Sequence, residues 1–331
     1  MTAQRARLAI GAVCASIVCA VGLCGGLLGA TDATAQPRLS PEAPRDEART
    51  FAAGNVSETA IVAALASAQP DRFRPIGTSS VTFQVDLAGR VDAAFKPESR
   101  IHPRGWLAEV AAYRIARELG LDDVPPAVVR SVERWQLRRR FEPGRDGLDV
   151  DAVSSELVFT GNAVRGAFIY WVPGLLRSDL DSAAGIARWS EWLAQEGEIP
   201  DGQRATARDL SNVLVFDYLI GNRDRWSGGN LSPTAEGRIV IRDHNLAFPY
   251  ALGAGVQQRM IESLKRTQRF SRRMIARLIA LDEPALRAIA ADDSLLDDRQ
   301  IRDVMDRRAT ILTYVGALIE EHGREAVLFF R

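Results

Sequence analysis

Val91-Asp-Ala-Ala-Phe-Lys96 alternates apolar and polar residues and ends in one of only two lysines in a chain of 331 residues. The other forty of its 42 basic residues are arginine, so this lysine marks a position where arginine does not serve. Lysine is a compact, strongly hydrated charge on a flexible stem, whereas arginine is a rigid planar fork. Upstream, Val81-Thr-Phe-Gln-Val85 alternates in the same way, and Leu87-Ala-Gly-Arg90 between the two runs reads as a turn. The pair predicts a β-hairpin. Downstream, Gly105 to Leu119 has an amphipathic helical pattern, closed by Gly120 and followed by Pro125-Pro126, which are standard stop signals. Glu109, thirteen residues past Lys96, falls in the first turns of that helix. Its neighbours Leu107, Ala108, Val110 and Ala111 are apolar, so it borders the packed side, where a carboxylate needs a cation.

Outward from this core, Ser57 to Ser67 reads as a short helix and β character begins at Phe73. Val128 to Phe141 and Leu157 to Trp171 read as strands, separated by a polar loop from Glu142 to Ser155. Pro173-Gly174 breaks the chain, and beyond it the pattern is helical: Ala183 to Glu196, Ala205 to Gly221, and several segments after Gln257. Only a loop around Asp224 and one strand, Arg238 to Arg242, interrupt that half. The expectation is an α+β, two-lobed fold. A small β-rich lobe with one helix (residues 71–172) leads into a larger, mainly helical lobe (173–331).

Residues 1–35 read as a signal peptide. Arg5 and Arg7 precede an uncharged apolar run from Leu8 to Leu28, and Ala33-Thr-Ala35 has the small-x-small form of a cleavage site. The run is long for a signal core, so a membrane anchor is the alternative. Either way the remainder is expected outside the cytoplasm, periplasmic or secreted, and touches a membrane only through this segment if it stays uncleaved. Residues 36–70 open with a Pro-, Arg- and acid-rich stretch that reads as a flexible leader. All three cysteines (Cys14, Cys19, Cys24) lie in the leader, so no disulfide or thiolate metal site is expected beyond it. A formal net charge of zero gives no bulk attraction to nucleic acid. The three histidines, His102, His244 and His322, sit in no metal-ligand or Gly-x-Ser-x-Gly spacing, so a serine or metal hydrolase is unsupported.

Chemistry gathers at five places. Lys96 at a strand end can reach phosphate oxygens when Glu109 holds it. Gly77-Thr-Ser-Ser80 lets backbone N–H groups approach an anion closely, making Gly77, Ser79 and Ser80 candidates for a phosphate cradle. Phe168-Ile-Tyr-Trp-Val-Pro-Gly174 reads as a strand ending in a hinge between the lobes, with Tyr170 and Trp171 as candidate nucleotide contacts. Asp224, in Asn222-Arg-Asp224-Arg-Trp-Ser-Gly-Gly-Asn230, stands on a loop after a helix that stops at Gly221. There a carboxylate can orient an acceptor hydroxyl and take its proton. Asp243, after the strand Arg238 to Arg242, together with Asn230, offers the hard oxygens that Mg²⁺ or Mn²⁺ prefers. Asp217 reads as a structural acceptor for the loop, and His244 as a residue packed under the metal loop. A strand lysine, a loop aspartate, an asparagine soon after it and a second aspartate after a strand are the working parts of ATP-dependent phosphoryl transfer.

Two runs add a family resemblance: Trp106-Leu-Ala-Glu109-Val-Ala-Ala-Tyr-Arg-Ile-Ala-Arg-Glu-Leu-Gly-Leu-Asp-Asp-Val-Pro-Pro126, and Val215-Phe-Asp-Tyr-Leu-Ile-Gly-Asn-Arg-Asp-Arg225. They resemble the secreted atypical kinases, the group of the Golgi casein kinase, the four-jointed kinase and the bacterial spore-coat kinases. More distantly they are similar to the phosphatidylinositol 3- and 4-kinases and the bacterial persistence-toxin kinases. The resemblance covers roughly residues 73–250. It implies a protein-kinase-like fold, with Lys96 and Glu109 as the nucleotide-binding pair, Asp224 as the catalytic aspartate and Asp243 as a metal ligand. It also implies ATP as donor and Mg²⁺ or Mn²⁺ as cofactor. The expected acceptor is a Ser or Thr hydroxyl of another exported protein. This chain departs from the pattern in having Trp226 where relatives place His, Asn230 six rather than five residues past Asp224, and no glycine at 244–245. The alternative functions are a pseudokinase scaffold and a kinase of a sugar, lipid or antibiotic; a helical envelope protein with chance motifs is a third.

Overall fold

The structure is a computed structural model and describes residues 51–52, 56–76, 80–89, 91–144, 147 and 149–331. The expected signal peptide or anchor (1–35) and most of the expected leader therefore lie outside the described residues, as do Gly77 and Ser79. Among the described residues no helix is long and apolar enough to cross a membrane.

The small lobe is built on an antiparallel sheet. Its strands are β1 (Pro70–Ile76), β2 (Thr82–Leu87), β3 (Asp92–Pro97), β4 (Ala127–Glu133), β5 (Phe159–Thr160) and β6 (Ala163–Tyr170). They lie in the order β1-β2-β3-β6-β4, with β5 paired to β6. The hairpin read from the alternation is β2–β3, with Phe83 opposite Phe95. Because side chains alternate along a strand, β3 sends Ala93 and Phe95 into the sheet's core and leaves Ala94 and Lys96 on the other face. Phe95 packs against Phe83, Phe73 and Phe168, the last with ring centroids 4.7 Å apart. This buried aromatic cluster fixes the strand that presents Lys96. In register, Lys96 lies opposite Ala167 of β6.

The small lobe holds more helix than the sequence pattern indicated. Besides α1 (Glu58–Ser67) and α2 (Gly105–Glu118), the two expected helices, it carries α3 (Arg134–Arg139) and α4 (Val150–Ser155). The α1 helix lies inside the segment expected to be a flexible leader. Instead it buries Ile61 and Leu65 in the small-lobe core, and Phe51 meets Tyr170 edge-on. The strand expected from Val128 to Phe141 stops at Glu133 for a local reason. The Glu133 and Gln136 side chains each satisfy the other's backbone N–H, a capping box that starts α3. The expected polar loop from 142 to 155 ends in α4 because the Asp149 carboxylate accepts the N–H of Ala152 at 2.7 Å.

The large lobe is helical as expected: α5 (Ala183–Leu193), α6 (Arg204–Ile220), α7 (Ala254–Leu264), α8 (Arg272–Ala280), α9 (Glu283–Ala291), α10 (Asp298–His322) and α11 (Arg324–Val327). A two-stranded hairpin, β7 (Leu231–Pro233) and β8 (Ile239–Ile241), interrupts it. The α6 helix is buried along its length and ends at Gly221 with φ 70°, a left-handed turn whose N–H returns to the carbonyls of Asp217 and Tyr218. Eleven residues of α2 are buried, and nine of them share one apolar core with α6, α9 and α10. The helix that carries Glu109 is therefore anchored in the large lobe while it leans on the small-lobe sheet.

Candidate active site

A cleft of about 800 Å³ opens between the sheet and the hairpin β7–β8. Lys96, Glu109, Asp243, Asn230, Ser80, Tyr170 and Trp171 all line it. Four separate parts of the chain thus bring to one cavity residues singled out from sequence.

Lys96 is the hub. Its Nζ donates to Glu109 Oε1 at 2.6 Å and to Asp243 Oδ1 at 2.8 Å. Burial alone would lower its pKa, but the two carboxylates outweigh burial and raise it. Glu109 is 3% exposed. Burial pushes its carboxyl up, yet Lys96 and His244 overcome this and hold it well below the usual carboxylate range. His244 Nδ1 lies 3.3 Å from Glu109 Oε2, and its ring meets Phe216 edge-on. The nitrogen facing the carboxylate carries the proton in the arrangement that avoids lone-pair repulsion. Its buried Nε2 has no partner among the described residues and sits in the wall of the cleft.

Asp243 follows β8 with φ 62°, a left-handed conformation rare outside glycine. Such strain costs on the order of 1–3 kcal/mol and gathers at functional sites. Here it turns the carboxylate back toward Lys96. Asn230, at the start of the hairpin, donates its amide Nδ2 to the Asp224 carbonyl at 3.0 Å and to Ser227 Oγ at 3.3 Å. Its Oδ1 has no hydrogen-bond partner among the described residues. One carboxylate and one amide oxygen in the same cleft suit a hard divalent cation that completes its shell with phosphates and water. No group of three or more His, Cys, Asp or Glu that could hold a metal occurs among the described residues.

Asp224 does not line the cleft. It stands on the loop between α6 and β7, its N–H donated to Asn222 Oδ1 at 3.2 Å. Its carboxylate has no hydrogen-bond or ion-pair partner among the described residues. A residue with no distinct sequence signal holds the loop in place. Arg225 is fully buried, donates Nε and Nη2 to the Asp217 carboxylate at 2.8 and 2.9 Å, and reaches the Arg242 carbonyl with Nη1. Asp217 also accepts from Asn222 Nδ2 at 3.3 Å. The loop with Asp224 and the strand before Asp243 thus share one buried pillar. The only hint in the sequence was the placement of Asp217 on the apolar face of its helix. Trp226 stacks on Trp189 with centroids 5.3 Å apart, which ties the loop to α5.

At the hinge, Tyr170 and Trp171 line the cleft. The N–H groups of Tyr170 and Trp171 are committed to the carbonyls of Pro126 and Asp92, at 2.8 and 2.9 Å. A base in the cleft can meet these two residues only through a carbonyl or a side chain. Ser80 Oγ lies 3.4 Å from Thr82 Oγ1 at the cleft's edge.

No family model matches the chain, and no curated protein matches it in sequence. Solved structures do. The Golgi casein kinase with manganese and ADP bound aligns with a TM-score of 0.61 at 16% identity, over 82% of this chain and 78% of that one. Hydra Fam20 with sugar aligns at 0.59 and 18% identity, over 83% and 92%. The chain has the two-lobed kinase fold of these proteins, in agreement with the secreted atypical kinases that its motifs resemble.

Proposed function

We propose that this chain is an exported kinase that transfers the γ-phosphoryl group of ATP to a hydroxyl, with a serine or threonine side chain of another exported protein as the acceptor. The observation that carries the reading is Lys96 Nζ at 2.6 Å from Glu109 and 2.8 Å from Asp243 inside an interlobe cleft. The Golgi casein kinase structure of the same fold holds manganese and ADP. An apolar N-terminal run after two arginines supports export.

In this reading Lys96 releases Asp243 and donates to phosphate oxygens, while Glu109, braced by His244, keeps the ammonium in place. Ser80, at the cleft's edge, would donate its hydroxyl to a phosphate oxygen. Asp243 and Asn230 would hold Mg²⁺ or Mn²⁺, which when bound neutralises phosphate charge. Asp224 orients the acceptor hydroxyl and takes its proton as the oxygen attacks the γ-phosphorus; the bond to the bridging oxygen breaks and ADP leaves. Such catalysis is mostly positioning and electrostatics, which agrees with a site pinned by buried ion pairs.

The test is transfer from γ-labelled ATP and Mn²⁺ into an extract of exported proteins, comparing wild type with Asp224→Asn. Label on Ser or Thr that disappears in the variant supports the proposal. Label equal in both, or confined to lipid or sugar fractions, overturns the assigned base or the assigned acceptor.

A further inference from the structure

Asn230 lies six residues past Asp224, one more than in the kinases its motifs resemble. It is nonetheless folded back onto the loop, with its amide nitrogen on the Asp224 carbonyl. Just before it, Gly228 and Gly229 have φ of 105° and 78°. A Cβ at either would meet nothing within 4 Å, so backbone conformation rather than space calls for glycine.

A Gly-Gly bulge has the most conformational freedom to lose, and left alone it would not hold one geometry. Here it is gripped from both sides. The Gly229 N–H donates to Asp181 Oδ2 at 2.7 Å, from the segment just before α5. The Gly229 carbonyl accepts from Arg242 Nη2 at 2.6 Å, and the same nitrogen reaches Ser232 Oγ on β7 at 2.9 Å. Both bonds involve an ionised group, the stronger class of hydrogen bond. Arg242 directly precedes Asp243, and its own N–H donates to the Asn230 carbonyl at 3.0 Å. One arginine therefore connects the bulge, Asn230 and the strand that carries Asp243.

We propose that Asp181 and Arg242 are positioning residues that clamp the Gly228-Gly229 bulge, so that the Asn230 amide oxygen faces the same divalent cation as the Asp243 carboxylate. This rests on the kinase reading above. Asp181 lies outside the cleft lining, so it acts only through the loop. Losing the clamp loosens the backbone next to Asn230 and so the placing of its amide oxygen, while Lys96 and Asp243 still receive the nucleotide.

The experiment uses the full chain with a non-hydrolysable ATP analogue and titrates Mn²⁺. Uptake is read from loss of the free Mn²⁺ paramagnetic resonance signal and from the metal-dependent thermal shift. Removing an outer partner of a metal ligand costs about tenfold or more in metal affinity. Asp181→Ala and Arg242→Met should each raise half-saturating Mn²⁺ by about that factor, and in Asp181→Ala, outside the cleft lining, the metal-free nucleotide shift should be unchanged. Added to Asn230→Ala, Asp181→Ala should have no further effect, because the ligand it positions is gone. Unchanged half-saturation in both single variants overturns the clamp. So does a loss that adds in full to that of Asn230→Ala. A wild-type protein that takes up no Mn²⁺ with nucleotide overturns the kinase reading itself, an outcome distinct from wild type and variants binding alike.

Discussion

Lys96→Met keeps the length of the side chain and removes its charge, which isolates the role of the ion pair beneath the cleft. Glu109 is 3% exposed and would be left facing only His244 Nδ1 at 3.3 Å. Removing one partner of a buried pair costs about 3–5 kcal/mol, because the remaining charge stays desolvated. The Asp243 arm matters less: its side chain is 38% exposed, in the regime where a pair is worth about 0–1 kcal/mol. The expected loss is therefore about 3 kcal/mol, nearly all of it through Glu109. Adding Glu109→Gln should restore most of it, although the double variant lacks the lysine proposed to meet the nucleotide. The pH dependence gives a second handle. In the wild type Glu109 is depressed in the native state, so its stabilisation is present above the ordinary carboxylate value of about 4.3 and fades as pH falls below it. Without Lys96, burial dominates and raises the native-state pKa, so the variant gains stability as pH falls. The gap between wild type and Lys96→Met should narrow from pH 7 to pH 4. Urea unfolding followed by tryptophan fluorescence measures both effects. A single-variant cost under about 1 kcal/mol, with no recovery in the double variant, would refute the idea that Glu109 is a buried anion held by Lys96.

Arg225→Met leaves the Asp217 carboxylate buried without its cation, so a loss of about 3–5 kcal/mol in urea unfolding is expected. Gly221→Ala places a Cβ at φ 70° and 3.0 Å from Pro249 Cδ; it should cost about 1–2 kcal/mol, read as a lower Tm. Asp123 is buried, with Asp209 and Asp122 near it, and both effects raise its pKa well above the usual range. Such a group lowers stability as pH rises past the unfolded-state value. Asp123→Asn should therefore stabilise the protein at pH 7, and the gain should vanish near pH 4 in the same unfolding series. His244→Ala removes the brace on Glu109 Oε2, so nucleotide affinity measured by calorimetry should fall while the Asp243-dependent metal requirement persists.

The fold was legible where one physical signal dominated. Period-two alternation gave β2 and β3, and the apolar run ending in Gly120 gave α2. The left-handed Gly221 was visible as a glycine directly after an apolar helix. What escaped was local capping. Glu133 and Gln136 turn the end of an apparent strand into α3, and Asp149 turns a polar loop into α4. The α1 helix was visible as a pattern, but its burial against β4 and β6 depends on contacts distant in sequence. At the site, the Lys96–Glu109 contact could be reasoned from an apolar helix face that carries one acid. The Lys96–Asp243 contact links residues 147 apart in the chain. Arg225, one of forty arginines, carried no signal of burial at all.

In the proposed kinase the cleft takes a nucleotide together with a divalent cation through Lys96 and Asp243. Thermal unfolding of wild type and Asp243→Ala, each with ATP alone and with ATP plus Mn²⁺ or Mg²⁺, tests it most directly. A ligand at a hundred times its Kd stabilises by about 2.7 kcal/mol, a readily visible shift. A metal-dependent rise in Tm is expected for the wild type, and Asp243→Ala should abolish it. No rise under any of these conditions, or a rise that Asp243→Ala leaves intact, contradicts it.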